Sequence, residues 1–162
     1  MTQHKNPSKF KEGPQLVWSV LCKESAIDQQ SNSVSLFHAL ERITLDKKQV
    51  ESFRARGNEG DILLPLECEL VSLWMRGNAS EPLTTSAVFT IIDPQDNELH
   101  HDEIVLQFEK GKKRLRHRFQ MNGVKVRDEG TYWFQISLGR NKTDSKEVAN
   151  VPLEVVFKEN PQ

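Results

Sequence analysis

Between Asp128 and Leu138 the chain reads Asp-Glu-Gly-Thr-Tyr-Trp-Phe-Gln-Ile-Ser-Leu. Side chains alternate across a β-strand, so a strand here puts Tyr132, Phe134, Ile136 and Leu138 on one face and Trp133, Gln135 and Ser137 on the other. Asp128-Glu129-Gly130 in front of it is turn chemistry. A turn that runs into strict alternation commits this part of the chain to a sheet with one buried face.

The Asp-x-Gly-x-Tyr-x-Phe pattern resembles the tyrosine corner of immunoglobulin-like sandwiches, in which a Tyr near the start of a strand hydrogen-bonds to backbone a few residues upstream. Tyr132 takes that place and is expected to be buried. Phe134 stands where an antibody domain has its second disulfide cysteine, so the resemblance is to the wider sandwich architecture.

At 162 residues the chain is long enough to bury a core without disulfides or metals, and one domain is expected over 15–158 behind a polar arm at 1–14. Charged residues make up 28% of it and the formal net charge is -1, which predicts no global attraction to nucleic acid or membrane. The arm carries Lys5, Lys9 and Lys11 without the apolar core of a secretory signal, and no later stretch has the length of a membrane span. Cys22 and Cys68 are not at metal-ligand spacing. Free thiols in a cytoplasmic protein are therefore expected, and the acceptor motifs at Asn78 and Asn141 read as chance matches.

Leu16 to Cys22 is a nearly continuous apolar run, expected as a strand buried on both faces, with a loop from Lys23 to Ser33. Val34 to Ile43 suits a strand or a helix face. Asp46 to Gly60 is a long polar interval, read as a mobile loop with room for a short helical turn. Leu64 to Trp74 alternates, with Leu66, Cys68, Leu70 and Trp74 inward and Glu67 and Glu69 outward, and is expected as a central strand. Ser86 to Ile92 makes another and ends on the turn Asp93-Pro94-Gln95-Asp96-Asn97. Ile104, Leu106 and Phe108 mark the next inner face, and Leu115, His117, Phe119 and Met121 the one after it. Lys110-Gly111 suits a two-residue hairpin loop between them. In the last strand, Ala149 to Phe157, Pro152 suggests an edge position because it offers no ladder donor. About eight strands at short spacing predict an all-β, antiparallel sandwich.

The order Leu16 to Cys22, Val34-Ser35-Leu36, Leu64-Pro65-Leu66, Ile92-Asp93-Pro94, Gly130 to Phe134 and Pro152 to Val155 resembles a family of small bacterial immunoglobulin-like β-sandwich proteins of unknown function. The resemblance covers roughly 15–157. It favours the strand reading of Val34 to Ile43, and it implies a fold without implying an activity.

No nucleophile elbow, phosphate loop, dinucleotide fingerprint or paired-histidine metalloprotease motif is present, so no catalytic residue and no cofactor are assigned. On a strand, His100-His101-Asp102-Glu103 puts at most two metal ligands on one face, and a site would need His38 or His117 as well. The cluster reads as a solvated strand entrance. His117 reads as a core histidine satisfied by a backbone carbonyl, and Cys68 as a small core hydrophobe. Trp74 falls on a core face and Trp18 in the doubly apolar strand. Trp133, outside the buried face, is either covered by another element or offered to a partner.

Lys110 to Arg127 holds eight basic residues and no acidic one, while Asp93 to Glu109 is acidic with no Lys or Arg. If Lys110-Gly111 closes a hairpin, Glu109 faces Lys112, Gln107 faces Arg114 and Glu103 faces Arg118. A salt-bridged outer face is then expected, with Arg116, Lys125 and Arg127 left as a weak anion surface. The expectation from sequence is a non-enzymatic protein that binds a protein partner or itself through a sheet face or edge, without a membrane. Its candidate contact residues are Trp133, Arg114, Arg116 and Arg118. The alternatives are nucleic-acid or anionic-surface binding through 110–127, and a small hydrolase-like enzyme without a recognisable motif.

Overall fold

The computed structural model describes residues 13–56, 60–140 and 144–159. The expected arm lies outside them except for Gly13 and Pro14, as do Gly57 to Glu59 and the Asn141-Lys142-Thr143 motif. In chain order the elements are β1 (Gln15–Ile27), β2 (Val34–Ala39), β3 (Arg42–Asp46), α1 (Lys47–Ala55), β4 (Ile62–Leu64), β5 (Cys68–Met75), β6 (Leu83–Ile92), β7 (Glu98–Phe108), β8 (Arg114–Met121), β9 (Val124–Val126), β10 (Gly130–Leu138) and β11 (Lys146–Lys158).

Two sheets form a sandwich, ordered β2-β1-β5-β8 and β3-β11-β10-β6-β7, and β4 pairs with β9 beside them. The pairing is antiparallel except for β3 along β11, which is parallel. Alternation explains the core: Leu21, Cys68, Leu70 and Trp74 of the first sheet meet Phe89, Leu106, Phe108, Tyr132, Phe134 and Ile136 of the second. Each fully buried Leu, Ile or Phe contributes about 1.5–3 kcal/mol relative to exposure. β5 is central, as expected, with β1 on one side and β8 on the other. Its beginning is later than expected because Pro65 interrupts the run and Ile62 to Leu64 pair separately with Val124 to Val126.

Several expectations are corrected. β1 continues through Lys23 to Ile27, and the turn begins at Asp28, whose carboxylate accepts the Gln30 N–H at 2.8 Å. The apolar run is not buried on both faces throughout, because a register shift between Leu16 and Trp18 leaves Val17 47% exposed. Val34 to Ile43 is not one strand: β2 ends at Ala39 in the first sheet and β3 starts at Arg42 in the second. Within the interval expected as a mobile loop, Lys47–Ala55 forms a nine-residue helix. Asp46 caps it by accepting the Lys48 N–H, Val50 is buried, and Arg54 bonds the Arg127 carbonyl and the Asp128 carboxylate. Pro152 lies in the half of β11 that precedes its pairing with β3, so the missing donor sits where β10 is the paired strand.

The Tyr132 corner forms. The side chain is fully buried, and its hydroxyl accepts from the Arg127 N–H at 2.9 Å and the Asp128 N–H at 3.1 Å while donating to the Asp128 carbonyl at 2.8 Å. Tyr132→Phe strands these backbone groups and is expected to cost about 1–3 kcal/mol in urea unfolding. A midpoint equal to that of the native protein would show that the hydroxyl contributes nothing. Asp93 organises the other predicted turn. Fully buried, it accepts from the backbone of Gln95 and Asn97, both at 2.8 Å, and from the Asn97 side chain.

The consequential correction concerns β7 and β8. The turn between them is the expected one, with Lys112 N–H donating to the Glu109 carbonyl at 3.0 Å and Gly111 at φ +82°. It does not close a hairpin. β7 pairs with β6, where Glu103 lies opposite Val88 and Gln107 opposite Thr84, while β8 pairs with β5. The turn therefore crosses from one sheet to the other, and the inner faces of β7 and β8 meet across the core. The expected Glu103 to Arg118 and Gln107 to Arg114 partnerships do not form.

Candidate functional site

Arg114, Arg116 and Arg118 alternate with Leu115, His117 and Phe119, so all three lie on the outer face of β8. Their surroundings differ. Arg118 is diagonal to Glu69, since Arg118 stands opposite Val71 and Gln120 opposite Glu69. Its Nη2 and Nε reach the two Glu69 oxygens at 2.9 and 3.2 Å, Gln120 donates at 3.2 Å and Ser25 Oγ at 2.5 Å. Glu69 lies on the outer face, as its alternation predicts, yet it is only 6% exposed. Burial pushes its carboxyl up, and the donors from Arg118, Ser25 and Gln120 outweigh that and hold it below the ordinary carboxylate range. One sequence signal for this was available. Glu69 opens Leu-Val-Ser-Leu-Trp, a run apolar on both faces, where a carboxylate needs partners.

Arg116 donates from Nη1 to the Asn32 side chain at 2.9 Å and from Nη2 to the Asn32 carbonyl. Asn32 lies in the turn of the β1–β2 hairpin, so that hairpin is tied to β5 and β8 at two points, Ser25 to Glu69 and Asn32 to Arg116. The pairing of β1 with β2 skips Lys23 and His38, and His38 has φ +54°, which marks where the hairpin bends. Arg116 thus faces an amide instead of a carboxylate, and its buried Nε has no partner among the described residues.

Beneath the β7–β8 turn lies Arg76, which is 4% exposed. Its Nε donates to the Lys112 carbonyl at 2.9 Å, Nη1 to Glu81 at 2.7 Å and Nη2 to Glu109 at 2.8 Å, and its guanidinium lies 5.2 Å from the Phe108 ring centre. Carbonyl dipoles hold this cation, with no carboxylate in ion-pair contact among the described residues. Composition gave no hint of its role.

The turn, the start of β8 and the hairpin tip line a half-open pocket of about 330 Å³. Lys112, Arg114 and Arg116 supply positive charge against one carboxylate, Glu109, while Asn32 and Gln107 add amides and Ile27, Phe108 and Leu115 an apolar lining. The remaining basic residues of the strip are placed otherwise. Arg127 pairs with Asp61 at 3.0 Å, so it is not left over for anions, and Lys110 reaches Glu81 only at 4.0 Å.

The other candidates are dispersed. Trp133 is half-buried in an outer row of the second sheet with Ile92 and Pro152, its neighbours on β6 and β11, on the opposite side of the sandwich from the arginines of β8. His100 lies against the rings of Phe89 and Phe119, at centroid distances of 5.6 and 5.8 Å, and His101 is 3.4 Å from Glu98. No three metal-ligating side chains converge among the described residues. Burial lowers the His117 pKa, and among those residues its ring makes no bond to a backbone carbonyl, contrary to expectation. Cys22 and Cys68 are buried and unpaired. Burial pushes the Cys68 thiol up to about 11 and raises Cys22 as well, so both stay protonated.

These features define a small all-β sandwich protein. No protein-family model and no curated protein sequence matches the chain. Among solved structures it is similar to the C-terminal domain of wzt, with a TM-score of 0.45 and 12% identity over 92% of this chain and 77% of that one. No helix among the described residues is long and apolar enough to cross a membrane.

Proposed function

We propose that this chain is a non-enzymatic binding module, a single immunoglobulin-like domain over 15–158, that engages an anionic partner where the β7–β8 turn meets the β1–β2 hairpin tip. One observation carries this reading. The acidic strand β7 lies in the other sheet, so Arg114 and Arg116 face no carboxylate partner among the described residues, and with Lys112 they line the pocket as three cations against the single carboxylate of Glu109. Buried Arg76 adds a further positive charge beneath them. The pocket lining holds no histidine, hydroxyl or thiol, which supports the non-enzymatic reading. The parallel run of β3 along β11 and the Tyr132 corner support the immunoglobulin-like arrangement. The two unpaired cysteines support a reducing, cytoplasmic setting.

Retention on immobilised heparin across a sodium chloride series tests the proposal. Retention is expected beyond about 0.15 M salt, with the elution point lowered clearly by combined Lys112→Gln and Arg114→Gln substitution. Lys146→Gln, on β11, is the control for general charge. Elution at low salt, or an equal loss from the control, overturns the assignment.

A further inference from the structure

We infer that the pocket at the β7–β8 turn takes a small anion on a compact apolar body, such as an aryl or alkyl carboxylate, sulfate or phosphate monoester. This deepens the anion-binding reading and rests on it.

Size is the first argument. At about 330 Å³ the pocket falls at the lower end of the 300–1,000 Å³ typical of small-molecule sites. The hairpin tip lines one side with Ile27 and Asn32, so the pocket holds a single anionic group with the body joined to it, while exposed Arg114 stays within reach of a longer polyanion.

The distribution of charge is the second. Lys112, Arg114 and Arg116 outnumber Glu109 on the walls, leaving an excess suited to an anion of one or two charges. Arg116 is already oriented by its two bonds to Asn32, so its cation is fixed in place before a ligand arrives. Arg114 is exposed and is not paired with an acid among the described residues, which leaves its fork free to take an oxyanion in two parallel hydrogen bonds. Arg76 takes up the carbonyls of Lys112 and Glu109, so the turn that carries Lys112 is anchored.

The lining is apolar beside its cations. Ile27 is 39% exposed on the hairpin tip and with half-buried Leu115 gives the pocket an apolar side next to the cations, over the buried Phe108. An inorganic ion would leave that patch wet, whereas an apolar body joined to the anion covers it.

The test uses three probes in calorimetric titration of the full chain: 2-naphthoate has charge and body, inorganic phosphate charge alone, and 2-naphthalenemethanol body alone. Saturable one-to-one binding of 2-naphthoate is expected, at least about tenfold tighter than either of the others. Arg114→Gln and Ile27→Ser should each weaken it by about tenfold or more, with melting temperatures recorded to show that both variants fold. If naphthoate fails to bind while heparin is still retained, the small-anion inference falls and the broader reading stands. Phosphate binding as tight as naphthoate removes the apolar body from the assignment. Absence of both naphthoate and heparin binding removes both conclusions.

Discussion

Arg118→Met is expected to lower stability at neutral pH by about 2–3 kcal/mol, because it leaves the Glu69 carboxylate buried without its cation. Breaking a fully buried pair costs more, but the Arg118 side chain is 37% exposed and water reclaims part of the loss. For a domain of this size the loss corresponds to about 4–12 °C in melting temperature. Acid should narrow the difference. The folded Glu69 carboxyl lies below its ordinary value, so its stabilisation is fully present above the unfolded value near pH 4.3 and is lost as the pH falls through the lower folded value. Asp93 acts in the same direction: burial raises its pKa, but the donors from Asn97 and Gln95 outweigh this and depress it. Native and Arg118→Met melting curves should therefore converge below about pH 4. A constant gap across that range would show that the stabilisation does not come from the ionised carboxylate. The substitution should also loosen the β1–β2 hairpin, since Ser25 holds the same carboxylate.

Arg76→Met is the second substitution with a large expected effect, about 3–5 kcal/mol, since it removes three charge-assisted hydrogen bonds and leaves the carbonyls of Glu81, Glu109 and Lys112 without their donor. Arg76→Lys should restore little. A single ammonium does not reproduce a planar fork that reaches carbonyls in three directions. The effect should be local as well as global. The Gly111 N–H, held by the Ala79 carbonyl at 2.8 Å, should exchange with solvent much faster in Arg76→Met, and heparin retention should fall because the turn that presents Lys112 is no longer anchored. Unfolding within about 1 kcal/mol of the native protein, with Gly111 exchange unchanged, would falsify the anchoring role.

Alternation is a local property, and it was sufficient for the faces of the strands. Tyr132, Phe134 and Ile136 are buried together, Ile104, Leu106 and Phe108 point inward, and Cys68, Leu70 and Trp74 line the core, all as their spacing requires. The Asp93 turn and the Tyr132 corner were legible for a related reason, because each is built from groups within five residues of one another. The candidate site was legible in part: Arg114 and Arg116 were singled out from the sequence and line the pocket, while Trp133 and Arg118 do not. A basic stretch was visible, but its cations were assigned to the wrong partners.

What alternation does not encode is which strand lies alongside. The inner residues of β7 and β8 have the same parity whether the two strands pair as a hairpin or face each other from opposite sheets, so a register that looked consistent with every charge was nevertheless absent. The choice was made by one local pairing and two distant contacts: β6 takes β7 through the Asp93 turn, β5 takes β8, and Arg76 binds the connecting turn. The same holds for Glu69, whose partner Ser25 is 44 residues away, and for α1, which has few apolar residues and folds against neighbours rather than by its own propensity. The sequence alone determined which side of each strand avoids water, because that depends on neighbours two residues apart. Tertiary structure decided which charges meet, because that depends on how the two sheets close over the core.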